Sequence, residues 1–365
     1  MNGRFLKSRF LLWILVYAFF ILGMLWVYRD VKSRTMSKAL KFARYKNFIK
    51  AQMLTKSFDQ AKLKSAGNAG VLVTPIDNTT RLTNDSGVPF HPLLHGNLTI
   101  NITEAEAAYA KLMTEFSNVK DRGSIDIFET RRGIHDLTVA VIIPIRNRPA
   151  HLRLLLGHLI PILQRQLRRF QIFTAYQFGD GTFNKGRLMN AAFRYLLDAT
   201  RVEDVKFDCF IFHDVDMLTE SDLNTYECFP GTNKVKHMSY TVNKFNYTFC
   251  CGMTVGGVLS FTEEQFIKVN GFSNHFWGWG GEDDDMNARI KENKLEVVRP
   301  HLSVGRYTMI PHDRDKLNPY NAKVLKQLGR RQRSNFNGLA GCPAQVLGVE
   351  VRPLFVNILI KVEED

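Results

Sequence analysis

The stretch FWGWGGEDDDM, at residues 276–286, places two tryptophans among three glycines and follows them at once with four carboxylates. Adjacent carboxylates repel one another, and glycine weakens a helix or a strand, so a fold alone rarely requires this combination. Crowding should raise the pKa of at least one of these carboxyl groups, which suits a general base. The pattern therefore indicates that this stretch contacts a ligand.

A second acidic pair, Asp214 and Asp216, follows the strongly apolar run CFIF. Side chains alternate across a strand end, so these two carboxylates can point to different sides of one ligand. A hard divalent cation held there would bridge a carboxylate to diphosphate oxygens and neutralise the charge that develops as a diphosphate leaves. Taken alone, the pair is also compatible with a solvated turn.

Cationic side chains follow another apolar run, where PIRNR supplies Arg146 and Arg148. Guanidinium groups suit the phosphates of an anionic nucleotide, although two surface arginines are an equal alternative. Further along, VGRYTMIPHDRDK places His312 among several charges. A histidine that accompanies an apparent metal-binding carboxylate is a candidate metal ligand.

The elements that must position these residues alternate between strand and helix. The pattern predicts buried strands in LTVAVIIPI, FQIFTAYQ and FDCFIFHDVD, and helices in PAHLRLLLGHLIPILQRQL and NKGRLMNAAFRYLLDA. This alternation is typical of an α/β layer with a mainly parallel sheet, in which ligands bind beyond the carboxyl ends of the strands. Both PIRNR and HDVD lie at such ends.

An uncharged apolar run at residues 10–28 is long enough to cross a bilayer and has Trp and Tyr near its ends. No small-residue cleavage site follows it, so we interpret it as an uncleaved signal-anchor. Both flanks are basic, and charge does not decide the orientation. Five Asn-X-Ser/Thr sequons favour a luminal chain, namely Asn78, Asn84, Asn97, Asn101 and Asn246.

The net charge of +14 is concentrated in one segment, because about eleven Lys or Arg residues fall between positions 29 and 64. No zinc finger, basic zipper or aromatic ribonucleoprotein motif accompanies them, so nucleic acid binding is not indicated. Apolar residues at helical spacing in this segment predict a stem helix that either self-associates, giving a possible homodimer, or lies on the membrane surface.

Taken in chain order, the motifs PIRNRPAHL, FNKGRLMN, FHDVDM, GGVLSF, NGFSNHFWGWGGEDDDMNARI and VGRYTMIPHDRDK resemble those of the Golgi β-1,4-galactosyltransferases. The resemblance implies a GT-A type, nucleotide-sugar-binding mixed sheet flanked by helices, in a type II Golgi membrane protein with a luminal catalytic domain. It implies inverting, Mn²⁺-dependent transfer of a sugar from a UDP donor to the 4-hydroxyl of a terminal GlcNAc or glucose. The expected division is a tail at 1–9, an anchor at 10–28, a stem at 29–122 and a catalytic domain at 123–365.

The resemblance also assigns residues. The Mn²⁺ ligands match Asp216, Met309 and His312, and the soft thioether should bind a hard cation loosely. The donor-binding positions match Pro144, Arg146, Arg148, Phe183, Asp214, Lys244, Thr254 and Trp279. Ile145 stands where the family commonly has Phe, which removes packing area for the nucleotide. A family disulfide matches Cys209 and Cys228, whereas Cys250, Cys251 and Cys342 match no role.

The opening stretch also gains implied roles. Trp279 matches a residue on a short mobile loop that covers the donor and meets the acceptor, and Trp277 is interpreted as packing. Asp283 matches the general base, which also contacts the acceptor, with Glu282 and Asp284 as the neighbouring catalytic-site and acceptor-binding carboxylates. The segment that follows Met309, through about residue 330, matches a long loop that closes over the bound donor.

Thr254 bears on the choice of donor sugar. Counted without gaps, it stands where galactose-transferring relatives carry Tyr and where relatives that transfer N-acetylgalactosamine (GalNAc) carry a smaller aliphatic residue. Both UDP-galactose and UDP-GalNAc therefore remain candidate donors. A catalytically inactive luminal lectin or scaffold of the same fold is the alternative function, which the intact DVD, EDDD and His312 disfavour.

Overall fold

The computed structural model describes six stretches of one compact unit, Thr79–Asp365, namely residues 94–116, 137–203, 206–248, 254–312, 318–319 and 337–363. Within these stretches no helix has both the length and the apolar character needed to span a bilayer. The predicted anchor at 10–28 lies outside them, as do Asn78, Asn84, Cys250, Cys251 and nearly all of the predicted long loop.

The described stretches form five helices and eleven strands. The helices are α1 (Ile102–Phe116), α2 (Pro149–Arg165), α3 (Lys185–Glu203), α4 (Glu263–Lys268) and α5 (Glu282–Glu292). The strands are β1 (Thr138–Ile145), β2 (Arg169–Gln177), β3 (Cys209–His213), β4 (Met217–Thr219), β5 (Lys234–His237), β6 (Thr241–Val242), β7 (Val258–Phe261), β8 (Glu296–Val298), β9 (Arg306–Met309), β10 (Ala344–Val351) and β11 (Val356–Val362).

An eight-stranded sheet lies at the centre, in the order β10-β11-β2-β1-β3-β7-β5-β8. The four strands β11, β2, β1 and β3 are parallel, which confirms the predicted parallel layer. β7 and β10 run antiparallel to their neighbours, so the sheet is mixed, as the resemblance implied. A smaller sheet, β4-β9-β6, lies beside it and carries the segment that leads to His312.

Helices cover both faces of the central sheet, and β1 shows why the strand is apolar throughout. Its alternate residues enter two different cores. Ala140 and Ile142 belong to the core that α3 closes, whereas Val139, Val141 and Ile143 belong to the core that α2 closes. This packing fixes the ends of β1 and β3, where the predicted site residues begin.

The segment 94–116 lies inside the range predicted as stem, yet it packs on the sheet domain. Ala105 and Leu112 of α1 are buried in the α2-side core. A Cβ added at Gly157 of α2 would lie 1.9 Å from the Ala105 carbonyl oxygen, so only glycine allows this helix contact. The Asp222 carboxylate accepts hydrogen bonds from the His95 and Gly96 amides at 2.9 and 2.7 Å. This part of the range therefore contributes to the domain core.

The predicted disulfide is confirmed. Cys209 and Cys228 are joined across a sequence separation of 19, with their Cα atoms 5.4 Å apart. Cys342 carries a buried free thiol, and burial raises its pKa to about 11, so it is a packing residue in this fold. The sequon residues Asn97, Asn101 and Asn246 are all exposed.

Candidate active site

The DVD motif forms a tight turn between β3, which ends at His213, and β4, which begins at Met217. The two carboxylates point to different partners. Asp214 Oδ1 lies 2.9 Å from Lys185 Nζ, and Asp216 Oδ2 lies 3.1 Å from His312 Nε2. The turn therefore joins a candidate metal-binding group to a group of carboxylates.

The candidate metal-binding group consists of Asp216, Met309 and His312, the three residues that the resemblance assigned. Met309 pairs with Met217 across β4 and β9, and the Ile310 amide donates to the Asp216 carbonyl at 2.8 Å. These bonds bring the chain segment of Asp216 beside the segment of Met309. Asp216 Oδ2 and His312 Nε2 lie 3.1 Å apart, so these two side chains could hold one divalent cation together. In the described part of the chain, no cluster of three or more carboxylate, imidazole or thiolate groups is arranged to hold a metal ion.

The carboxylate group is organised around Lys185, in the first turn of α3. Its ammonium nitrogen lies 2.9 Å from Asp214 Oδ1 and 3.4 Å from both Glu282 Oε1 and Asp283 Oδ1. Glu282 and Asp283 begin α5, where the positive end of the helix dipole also favours negative charge. One largely buried cation and one helix terminus thus offset the repulsion that the acidic run would otherwise cause.

The pKa values in this group depend on burial more than on crowding. Burial, reinforced by the charge of Asp283, raises the pKa of Glu282 to about 7. Burial also raises the pKa of Asp214 to about 6, although Lys185 acts in the opposite direction, and it raises the pKa of the half-buried Asp284. Burial alone would lower the pKa of Lys185, but the three carboxylates reverse this and raise it well above its ordinary value. The sequence-based prediction of a raised carboxyl pKa is therefore confirmed. The cause it named, repulsion between neighbouring carboxylates, is smaller than the effect of burial.

Thr254 belongs to a short segment of chain, residues 254–256, and Asp283 lies against this segment. Asp283 Oδ2 is so close to Gly256 that a Cβ added there would lie 2.5 Å from this oxygen. The Gly256 amide donates to Thr254 Oγ1 at 3.3 Å, which fixes the threonine side chain. We define this turn, residues 254–256, as the sugar wall, because it brings the predicted donor-sugar contact beside the predicted base.

The tryptophan loop between Phe276 and Gly281 has three glycines with φ between +78° and +106°, a range that other residues rarely adopt. The Trp279 amide donates to the Pro319 carbonyl at 2.9 Å, and the Trp279 side chain is 48% exposed. Trp277 instead stacks on the guanidinium of the buried Arg187, 4.5 Å from its ring centroid. Trp277 is therefore a packing residue and Trp279 presents its ring to solvent.

The predicted nucleotide contacts are brought together only in part. Arg146 is buried beyond β1, donates to the Gly181 carbonyl, and lies 5.3 Å above the Phe183 ring. Pro144 is buried within β1, and Arg148 precedes the first residue of α2. Lys244 is exposed and lies over the Phe245 ring, and its neighbour Asn243 accepts a hydrogen bond from the Met309 amide at 2.9 Å.

Lys185 is the site residue that sequence reasoning missed. It stands in FNKGRLMN, a motif that carried the resemblance, but no role was assigned to it. A lysine in the first turn of a helix is opposed by the helix dipole, so its presence there indicates a stabilising partner elsewhere in the fold. That signal was available in the sequence, although the identity of the partners was not.

The mixed sheet, the DVD turn and the acidic helix start together place the chain in the GT-A class of nucleotide-sugar-dependent folds. Comparison with known sequences agrees, since residues 88–229 match the N-terminal region of glycosyl transferase group 7 and residues 236–313 match a second model described as the N-terminal domain of galactosyltransferase. The chain belongs to this family, that of the β-1,4-galactosyltransferases.

Similar proteins include beta-1,4-galactosyltransferase 4 of Rattus norvegicus, which is 44% identical over 225 residues that cover 61% of this chain and 62% of the relative. Beta-1,4-galactosyltransferase 3 of Homo sapiens is 41% identical, over 62% of this chain and 56% of the relative. The match thus spans less than two thirds of the length of these curated relatives. A solved Drosophila beta-1,4-galactosyltransferase 7 mutant, in complex with manganese, UDP-Gal and xylobiose, is 26% identical with a TM-score of 0.53, over 63% of this chain and 95% of that chain.

Proposed function

We propose that this protein is a hexosyltransferase that transfers galactose or GalNAc from a UDP-sugar, with inversion, to the 4-hydroxyl of a terminal GlcNAc or glucose. The acceptor sugar is carried by a glycoprotein or a glycolipid glycan. The observation that carries the proposal is the position of Asp283 between Lys185 and the sugar wall. Asp283 lies against Gly256, which follows Thr254 by two positions in the chain. In this position, next to the largely buried ammonium of Lys185, the carboxylate would serve as a base beside the donor sugar.

The proposed chemical step uses Asp283 as the general base. It accepts the proton of the acceptor hydroxyl while that oxygen forms a bond to the anomeric carbon of the donor. The bond between this carbon and the UDP oxygen breaks on the opposite side, and the electron pair leaves with UDP, which inverts the configuration. Lys185 offsets the negative charge of Asp283 and its neighbours, so the carboxylates can remain together in a largely buried site.

The donor set of Asp216, Met309 and His312 fits a divalent cation, with Mn²⁺ as our proposal. Oxygen, nitrogen and thioether ligands together suit a borderline metal better than one that prefers oxygen alone. When bound, the metal neutralises charge on the leaving diphosphate. The solved relative in complex with manganese and UDP-Gal supports this choice.

The donor sugar is proposed to be set in part by Thr254. A threonine occupies less space than a tyrosine and leaves room for an N-acetyl group on the donor. Its hydroxyl oxygen already accepts from the Gly256 amide, so the hydroxyl proton is directed elsewhere and can meet an acetamido group or a water. The names of the relatives favour galactose.

Residues 10–28 are proposed to anchor the protein in the Golgi membrane with its catalytic domain in the lumen. The disulfide between Cys209 and Cys228 agrees with an oxidising compartment. The exposed sequon residues Asn97, Asn101 and Asn246 are accessible to glycosylation there.

A donor panel tests the proposal. The full-length protein in detergent is assayed with UDP-sugars and GlcNAc-terminated acceptors in the presence of Mn²⁺, with Asp283→Asn as the matched variant. We expect transfer by the wild type and a fall in kcat of about 10² or more in the variant, with UDP affinity preserved. Absence of transfer with every donor, alongside retained glycan binding, would favour the inactive lectin instead.

A second variant tests the donor sugar. Thr254→Tyr should move the UDP-Gal to UDP-GalNAc rate ratio at least about tenfold toward galactose, which corresponds to about 1.4 kcal/mol in barrier difference. An unchanged ratio would show that Thr254 does not select the donor, and galactose would then be the expected sugar.

A further inference from the structure

The backbone of the sugar wall accepts hydrogen bonds from residues that belong to neither the metal-binding group nor the carboxylate group. His237 and Ser239 both contact the Gly256 carbonyl oxygen, at 2.8 Å from Nε2 and 2.7 Å from Oγ. Arg299 reaches the Thr254 carbonyl with Nη2 at 3.2 Å and His237 Nδ1 with Nε at 3.1 Å. The carbonyls of Thr254 and Gly256 are therefore both held by side chains.

The hydrogen-bond partners fix the protonation of His237. Its Nδ1 accepts from the Arg299 guanidinium, which can only donate, so Nδ1 carries no proton. Its Nε2 faces a carbonyl oxygen, which can only accept, so Nε2 carries the proton and donates it. Burial and the Arg299 charge lower the pKa of His237 to about 4, in agreement with a neutral ring. The donor and the acceptor are thus determined for both hydrogen bonds in the series from Arg299 through His237 to the Gly256 carbonyl.

The same turn contacts the reacting groups on its other side. Gly256 lies against Asp283 Oδ2, and the Thr254 side chain is tied to the Gly256 amide. A shift of the turn would therefore move the predicted donor-sugar contact and the predicted base together. Its position depends on bonds made by Arg299, His237 and Ser239 rather than on regular strand pairing, since β7 begins only at Val258.

We propose that Arg299 and His237 are positioning residues that hold the sugar wall, residues 254–256, at the distance the donor sugar and Asp283 require. This inference rests on the proposed transfer reaction. It gives these two residues a role in sugar-dependent steps but none in binding UDP, because the hydrogen bonds described above run to the sugar wall and between the two side chains. Arg299 acts through its planar fork, since one side chain supplies two directed bonds that a lysine cannot reproduce.

The test compares Arg299→Lys, His237→Leu and His237→Gln in the full-length protein, with Arg168→Lys as the control. Arg168 is a more deeply buried arginine that pairs with Glu227 at the opposite end of the parallel strands. Three quantities are measured for each variant: kcat/KM with the UDP-sugar that the wild type uses, Kd for UDP by calorimetry, and hydrogen exchange of the peptide 254–261.

We expect Arg299→Lys to lower kcat/KM at least about fivefold, the loss expected from one directed hydrogen bond. Its Kd for UDP should stay unchanged and exchange in the peptide should rise. His237→Gln keeps a donor toward Gly256 and should lose less than His237→Leu. Arg168→Lys should lower Tm without changing either kcat/KM or exchange in the peptide.

Unchanged kcat/KM and unchanged exchange in Arg299→Lys would overturn the inference, as would an equal loss of UDP affinity. If His237→Leu does not fold, Arg299→Lys and His237→Gln still decide the matter. A wild type that transfers no sugar refutes the proposed function instead, and the exchange measurement then decides by itself whether Arg299 holds the turn.

Discussion

Gly256 offers a substitution that displaces the proposed base while leaving the backbone unstrained. Its φ lies outside the left-handed region, so alanine is compatible with the chain conformation. A Cβ at this position would lie 2.5 Å from Asp283 Oδ2 and 3.0 Å from Asp283 Cγ, and ordinary contact begins at 3.4 Å. The carboxylate must therefore move by about 0.9 Å, and a misplacement of about 1 Å in a reacting group can lower the rate by about 10².

We expect Gly256→Ala to reduce kcat by about 10² with little change in Tm, because only the end of one short side chain has to move. Initial rates at saturating acceptor give kcat, and calorimetry with UDP shows whether the nucleotide site is intact. The double variant with Asp283→Ala provides the control. Once the carboxylate is absent, Gly256→Ala should add no more than about a twofold loss, so the two effects should be strongly non-additive.

Two outcomes would refute the reasoning. A wild-type kcat in Gly256→Ala would show that Asp283 does not act from the position that the structure gives it. An equal loss in the presence and absence of Asp283 would show that the new methyl group obstructs the donor sugar rather than the base.

Three further predictions concern the metal, the tryptophan loop and the disulfide. Asp216→Asn and His312→Ala should each weaken Mn²⁺ binding in the presence of UDP, measured by electron paramagnetic resonance, with a large loss of transfer; unchanged Mn²⁺ affinity in both would contradict the ligand assignment. Trp279→Ala should raise KM for the acceptor more than KM for the donor, because the half-exposed ring is the surface proposed to meet the acceptor sugar, and the reverse order would contradict its acceptor role. Cys209→Ser should lower the free energy of unfolding by about 3 kcal/mol, the loop-closure value for the enclosed segment, and Tm by roughly 5–10 °C; an unchanged Tm would show that the bond is not formed in the protein.

The sequence by itself determined the central layer of this protein and the location of its site. The apolar runs of β1, β2 and β3 have no alternation because both faces of the sheet are covered, and this property can be read from a few consecutive residues. The ends of those runs then locate PIRNR and DVD at one edge of a parallel sheet. Family resemblance added the disulfide and the metal-binding residues, which spacing alone left open.

Only the tertiary structure decided how the charges are paired. Lys185 meets Asp214, Glu282 and Asp283 across separations of 29 to 98 residues, and no local pattern contains such distances. The same holds for the bonds from Arg299 to Thr254 and His237. Charge pairing depends on which loops the fold brings to one edge of the sheet, and burial then sets the pKa values, because the energy of a charge depends on its surroundings rather than on its neighbours in sequence.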